Sequence, residues 1–408
     1  MGNCNPETQT ATILRFGILG AARIAPEALL KPARTHSDVV VTAVACRDKE
    51  RGSRYAQKHK VPRTFSGSNA YHDLVTDPDI DAVYIALPNG LHFEWAMRAL
   101  EAGKHVLVEK PIANTADEAR QIFALAEKKG LVALEALHSV FHPAIHRVRD
   151  IIESGEMGKV KSIGSRFVIP SLFSPLAFEK DDVRFRYDLG GGCMTDMGGG
   201  CFPGSFTSHI AFSPEPVDCC WTVYPLAAIR FMTSTDTVPL EVTSANAIGH
   251  ANDPERIDRA MDVTYALPGT DVTAEMYIDF AQPGWGPSGL IPHMLRTEIT
   301  VTLEGGEIFM FNFVRPSTFH FIRVKPKKGF GRFEQAYKFK DGRGDKSWST
   351  YRYQLEAFVG KVRGRNPADW YEPAKSISEL ETIERVYLKA GLPLRSASSY
   401  KSSEDTSA

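Results

Sequence analysis

Cysteine is scarce in this sequence and poorly placed for cross-linking. The six are Cys4, Cys46, Cys193, Cys201, Cys219 and Cys220, and no two form a CxxC pair. Cys219 and Cys220 are adjacent, so in a strand their side chains leave on opposite faces. This usage argues against a disulfide framework and a zinc site, and it points to a reducing, cytoplasmic compartment. An apolar run of ~18 residues is also missing, so no membrane-spanning helix is expected. Neither sign of charge is in excess. The 48 Lys+Arg and 49 Asp+Glu leave a net charge of −1, so no basic footprint suggests nucleic acid. The amino terminus is polar and lacks the apolar region of a signal peptide. Gly2 and Cys4 suggest acylation faintly, but Pro6 stands where Ser or Thr is wanted. Residues 1–11 and the Ser/Lys/Glu-rich 396–408 are expected as disordered tails.

What is present is enough apolar residue, 43% of 408, for two cores. The first half, 12–137, alternates short apolar runs (13–19, 39–45, 82–87, 106–108 and 131–137) with helical stretches such as 94–102 and 115–129. The runs are continuously apolar, as in strands buried on both faces. Thr115 and Glu118 have capping-box spacing, and Gly103 and Gly130 stand at helix stops. Strand–helix alternation predicts a Rossmann-type, doubly wound parallel sheet. After a helix near 142–154 the texture changes. Segments 159–169, 217–224, 241–249, 261–267, 271–280, 297–303 and 307–314 read as strands, and 303–307 as a hairpin. Helical patterns return at 351–363 and 376–390. The expectation is a second, α+β domain over 138–395 with a large, mostly antiparallel sheet.

The first strand closes in Gly17-Ile-Leu-Gly20-Ala-Ala22-Arg23-Ile24-Ala25. A dinucleotide turn wants small residues for a tight bend, for close approach of backbone to pyrophosphate and for helix–strand packing. Gly20, Ala22 and Ala25 take those places. The second strand ends Ala45-Cys46-Arg47-Asp48. An NAD site usually has an acid there for the ribose hydroxyls, whereas here Cys46 holds the place and Arg47 follows. A guanidinium suits a 2′-phosphate, so NADP is favoured over NAD. The competing reading of Arg47 is a solvated loop arginine, and Asp48 reads as a helix cap. Further on, His105-Val-Leu-Val108 leads into Glu109-Lys110-Pro111. Proline ends the pairing and holds a lysine at the carboxyl end of a strand, where open α/β sheets place ligands. An ammonium there can anchor a substrate oxygen or exchange a proton.

Taken in order, Gly20-x-Ala22-Arg-Ile-Ala25, Leu87-Pro-Asn-Gly-Leu-His92 and Gly103-Lys-His-Val-Leu-Val-Glu-Lys110-Pro111 resemble the Gfo/Idh/MocA oxidoreductases. Tyr187-Asp-Leu-Gly-Gly-Gly192, Tyr351-x-x-Gln354-x-x-Ala357-Phe358 and Tyr387-Leu-Lys-Ala-Gly391-Leu-Pro-Leu-Arg395 look like later blocks of the same family. They are nearest in look to its dihydrodiol dehydrogenase and NADP-linked xylose dehydrogenase branch. The resemblance implies a dehydrogenase or reductase for a small molecule such as a dihydrodiol, an aldose or a specialised metabolite. It further implies Pro88, Asn89 and His92 along the ribose and nicotinamide, Glu109 supporting the lysine, and Lys110 on the substrate oxygen. A cis Lys110–Pro111 bond and a homodimer through the open sheet face also belong to it.

One position departs from the family pattern. Sugar- and polyol-oxidising members carry an Asp followed four residues later by His or Tyr, on one helical face. Here Asp196 is followed by Gly200. Three readings stay open: Lys110 handles the proton, alone or with Asp196, Tyr187, His138 or His209; the reaction needs less proton help, as for an imine or an activated alkene; or the chain is a non-catalytic NADP-binding regulator. A lyase or glycosidase using the nicotinamide transiently is a further alternative. Phe173, Phe178, Phe202, Phe206 and Trp285 are candidate pocket walls, or simply core.

Overall fold

The computed structural model describes residues 13–174, 182–195 and 223–402. Its first domain is a six-stranded sheet of β1 (Leu14–Leu19), β2 (Val39–Cys46), β3 (Arg63–Ser66), β4 (Ala82–Ile85), β5 (His105–Val108) and β6 (Ala133–Glu135). The order is β3-β2-β1-β4-β5-β6 and every pairing is parallel. Every residue of β4 is buried, which explains its unbroken apolar run. A π turn at Pro26–Leu30 runs into α1 (Lys31–Arg34). α2 (Lys49–His59), α3 (Ala70–Thr76), α4 (His92–Glu101) and α5 (Ala116–Lys128) complete the crossovers. The capping box of α5 is formed: Thr115 Oγ1 accepts from the Glu118 N–H, and the Glu118 carboxylate accepts from the Thr115 N–H. Strand order reverses between β1 and β4, so a crevice opens at their carboxyl ends.

The second domain begins with α6 (Pro143–Glu153) and β7 (Val160–Pro170). α7 (Val223–Thr233), β8 (Glu241–His250), β9 (Asp253–Ala266), β10 (Thr273–Gln282), β11 (Arg296–Leu303), β12 (Gly306–Phe311), β13 (Phe321–Pro326) and β14 (Arg332–Glu334) follow. The chain continues into α8 (Thr350–Val362) and α9 (Pro373–Lys389). The eight strands lie in the order β14-β13-β12-β11-β7-β10-β9-β8. Only β7 and β10 among them pair in parallel. Burial alternates strictly along β11 and β12, because one sheet face is covered and the other open.

Two expectations are corrected here. Val223 and Tyr224, read as the end of a strand, open helix α7, whose residues 223–232 are all buried. A helix that is apolar all round shows no 3.6-residue period to distinguish it from a buried strand. The second correction concerns the tail. Residues 396–402, expected to be disordered, lie on the first domain. Ser396 O accepts from Asn114 Nδ2 at 2.9 Å, the Ser398 N–H donates to Glu118 at 2.6 Å, and the Tyr400 hydroxyl donates to Glu101 at 2.9 Å.

Candidate active site

The crevice at the switch point is a cleft of about 1070 Å³ reaching from the Gly20 turn to Lys110. Gly20 has φ +96°, and a Cβ there would stand 2.6 Å from the Ala86 carbonyl oxygen. Only glycine fits, and the backbone can approach a ligand closely. Ala22, Arg23 and Ile24 line the same end. Asp48 caps α2 by accepting from the Arg51 N–H at 2.8 Å. From α2, Arg51 Nη2 donates to Ala21 O at 3.0 Å and the Tyr55 hydroxyl to Ala22 O at 3.1 Å. Arg47 is exposed and lies against the Tyr71 hydroxyl, and Lys58 completes a basic rim. Arg51, Tyr55 and Lys58 were not singled out from sequence. Their spacing on one face of a helix capped by Asp48 was the available signal.

At the other end Lys110 is only 2% exposed, and its bond to Pro111 is cis. Glu109 accepts a hydrogen bond from the buried Tyr84 hydroxyl of β4. His92 is fully buried, with Nδ1 2.8 Å from Pro111 O and Nε2 2.8 Å from Leu87 O. It therefore staples the loop after β5 to the loop after β4. Asn89 donates from Nδ2 to both Gly190 O and Thr195 O at 3.3 Å, tying that loop to the glycine-rich block of the second domain. Pro88, Asn89 and His92 thus line the cleft, while the polar atoms of the latter two bind backbone. Behind Lys110, Glu135 at the end of β6 accepts from the Ile112 N–H at 3.1 Å. The second-domain wall is Asp182, Val183 and Arg184, with Arg184 Nη1 2.6 and 2.5 Å from the two Asp182 oxygens. Sequence reading had not marked this pair.

Several predicted residues lie elsewhere. The Tyr187 hydroxyl donates to Leu394 O, and its ring lies between Arg256 and Arg395, away from the cleft lining. Its hydroxyl is thus engaged with backbone, and the acid/base role expected of it is left as a proposal. The His138 ring lies tilted against Tyr351 with centroids 3.8 Å apart, and burial pushes its pKa well down. Trp285 is 57% exposed, pairs with Ile291 in an isolated bridge and is not among the described residues that line the cleft. Phe173 is half-buried and is not among the lining residues. Asp196, Gly200, His209, Phe178, Phe202 and Phe206 fall outside the described residues.

Comparison with known proteins agrees with this geometry. The family model GFO_IDH_MocA, described as an oxidoreductase family with NAD-binding Rossmann fold, matches residues 14–137. A dTDP-3,4-didehydro-2,6-dideoxy-alpha-D-glucose 3-reductase of Saccharopolyspora spinosa is 36% identical over 204 residues, 50% of this chain and 58% of that protein. A D-xylose 1-dehydrogenase (NADP(+)) of Haloferax volcanii is 36% identical over 50% of this chain and 59% of its own length. The match therefore spans somewhat over half the length of these curated relatives. Among solved structures, a 3-ketoreductase from Actinomadura kijaniata with NADP and TDP-benzene superposes with a TM-score of 0.70. It is 22% identical, over 93% of this chain and 98% of that one, which speaks to fold. Over residues 14–137 the chain is thus similar to the GFO_IDH_MocA oxidoreductase family.

Proposed function

We propose that the chain is an NADP-dependent oxidoreductase acting on a hydroxyl-bearing or carbonyl carbon of a small molecule, with Lys110 contacting the substrate oxygen. Dihydrodiols, aldoses and related keto sugars are the first substrates to try. The observation that carries this reading is a single cleft joining a glycine-only turn to a buried lysine at a strand end. The residues fit a dinucleotide phosphate. The Gly20 cradle admits no side chain, Asp48 is used as a cap, and Arg47 and Arg51 line the same cleft with guanidinium groups that suit a 2′-phosphate. When bound, the nicotinamide gives or takes hydride. Lys110 then polarises the substrate oxygen and moves its proton at Nζ, Glu109 fixes the strand end, and His92 holds the loop that carries both. Asp196 stays in the proposal as a carboxylate for that proton.

A homodimer through the open sheet face belongs to the same reading. Phe311 and Phe321 stack there at 5.5 Å, and Phe319 and Phe333 are 49% and 71% exposed. A cytoplasmic location is also proposed, on the free thiols Cys46 and Cys193. The test is NADPH oxidation and NADP reduction across diols, aldoses, aldehydes, ketones and imines, repeated with Lys110→Met. Turnover lost with NADPH binding retained is the expected result. Turnover unchanged by the substitution would refute the role of Lys110. Tight binding with no turnover on any compound would make the chain a regulator instead.

A further inference from the structure

The segment that opens with Arg395 joins the loop after Lys110 to the glycine-rich block through a closed ring of contacts. Asn114 stands four residues after Lys110, and its Nδ2 donates to Ser396 O at 2.9 Å. The preceding residue, Arg395, donates to Asp258 Oδ1 at 2.9 Å. Asp258 accepts from the Met194 N–H at 2.8 Å and from the Cys193 thiol at 2.9 Å, and its carbonyl accepts from the Cys193 N–H at 2.9 Å. Arg395 thus grips the block from one side. Asn114 meets it from the other: a Cβ at Gly190 would stand 2.2 Å from Asn114 Oδ1, and one at Gly192 would stand 2.2 Å from Arg395 Nη2. The loop itself is held at several points. His92 Nδ1 lies 2.8 Å from Pro111 O, and Glu135 accepts from the Ile112 N–H at 3.1 Å. Glu118 Oε2 accepts from the Asn114 and Thr115 N–H groups at 3.0 and 3.2 Å, while its Oε1 accepts from the Ser398 N–H at 2.6 Å. Farther along, the Tyr400 hydroxyl and Ser402 Oγ both donate to Glu101 of α4, at 2.9 and 2.6 Å.

We infer that residues 395–398 are a brace, with Asn114 as its hub, that sets the Lys110 loop against the block leading into Asp196. Asn114 is thus a positioning residue for proton transfer at Lys110. This rests on the oxidoreductase reading, in which Lys110 and Asp196 serve the same proton. Arg395 and Ser396 are neighbours, so their Cα atoms are held about 3.8 Å apart. One grips the block and the other grips the loop, so neither can shift alone without breaking a contact of the ring. The chemistry of the hub points the same way. Asn114 Oδ1 is buried and has no hydrogen-bond partner among the described residues. A buried acceptor left unpaired costs stability, so a tie made for stability alone does not call for an amide here. What the amide supplies is a donor aimed at Ser396 O and an oxygen that fills the space over Gly190. Proton transfer in turn depends steeply on placement, so a small drift of the loop is felt in the rate.

The test uses three variants of the full chain. Asn114→Ala deletes the hub. Ser398→Pro removes the N–H that Glu118 Oε1 accepts and leaves the Glu118 cap on α5 in place. Tyr400→Phe removes only the bond to Glu101 and keeps the ring that lies 4.6 Å from the Arg98 guanidinium. The first arm needs neither substrate nor nucleotide. Lys110 is 2% exposed, so its acetylation by acetic anhydride, read by peptide mass spectrometry, should be slow in the wild type and in Tyr400→Phe. It should be about tenfold faster in Asn114→Ala and Ser398→Pro, as the loop loses its hold. The second arm is carbonyl reduction, with kcat counted per titrated NADPH site so that unfolded molecules do not enter. Asn114→Ala and Ser398→Pro should lower kcat about tenfold with KM and NADPH affinity unchanged, the signature of misplacement rather than lost binding. Tyr400→Phe should melt earlier and keep its kcat. Earlier melting of the first two variants with kcat and acetylation unchanged would make the brace structural only and overturn the inference. An equal kcat loss in Tyr400→Phe would overturn the assignment to Asn114. If Asn114→Ala does not fold, Ser398→Pro decides. If the wild type turns over no compound, the oxidoreductase reading fails, and the acetylation arm alone decides whether the brace holds Lys110.

Discussion

Arg395→Met should cost the second domain about 4 kcal/mol, because it strips a buried carboxylate of its cation. Asp258 is fully buried and Arg395 nearly so. Arg395 Nη2 donates to Asp258 Oδ1 and to the Tyr387 hydroxyl, both at 2.9 Å, and Nη1 donates to Arg256 O at 3.1 Å. The remaining donors to Asp258 are the Cys193 thiol at 2.9 Å, the Met194 N–H at 2.8 Å and the Tyr387 hydroxyl at 3.1 Å. None carries charge, and removing one partner of a buried pair typically costs about 3–5 kcal/mol. Methionine preserves much of the packing, so the loss reports charge and hydrogen bonds. Gly192 crosses this pair with φ +137°, and a Cβ would lie 2.2 Å from Arg395 Nη2, so the chain allows no compensating shift. The assay is urea unfolding of Arg395→Met, Asp258→Asn and the double variant. The two single losses should exceed the double loss by about 2 kcal/mol, since the second change removes a group already unpaired. A loss below about 1 kcal/mol for Arg395→Met, or simple additivity, would refute the reasoning.

Three further outcomes follow from the geometry. Gly20→Ala puts a methyl group against Ala86 O, so it should cost about 1–3 kcal/mol and weaken nucleotide binding, measured by thermal melts with and without NADPH. Arg51→Ala and Arg47→Ala should each weaken NADPH about tenfold, or about 1.4 kcal/mol, with little change for NADH in fluorescence titration; an unchanged ratio would remove them as phosphate readers. Burial pushes His138, His142 and His146 below the ordinary imidazole range. Above about pH 6.5 they are neutral in both states, whereas below it the unfolded chain takes up protons that the native protein refuses. Stability should therefore fall with pH below about 6.5, and His142→Asn, which keeps the cap on Ala144 N–H without titrating, should flatten that fall in melts at several pH values.

What could be read in advance was whatever is local in the chain. The run through β4 and β5 is apolar because both faces are covered, and Thr115-x-x-Glu118 caps α5 within four residues. Gly20 and Lys110 were legible for the same reason: each depends on a strand ending in the next few residues. β3 was missed because its four residues are only half-buried and carry no apolar run. Asn89 and His92 do line the cleft, but what their polar atoms bind was hidden. The acceptors on Gly190 and Thr195 are about a hundred positions from Asn89. The partners of Tyr187 were hidden too, since Arg256 and Arg395, from distant segments, meet its ring. Arg51 and Tyr55 escaped because their targets are backbone carbonyls, which have no signature in sequence.

The return of residues 396–402 to the first domain makes that domain discontinuous in sequence. The chain leaves it after β6, builds the whole second domain, and comes back to bond with Asn114, Glu118 and Glu101. The second domain is thus an insertion with both of its ends joined to the first domain. A chain cut near 395 would therefore take from the first domain the groups that Asn114, Glu118 and Glu101 bond.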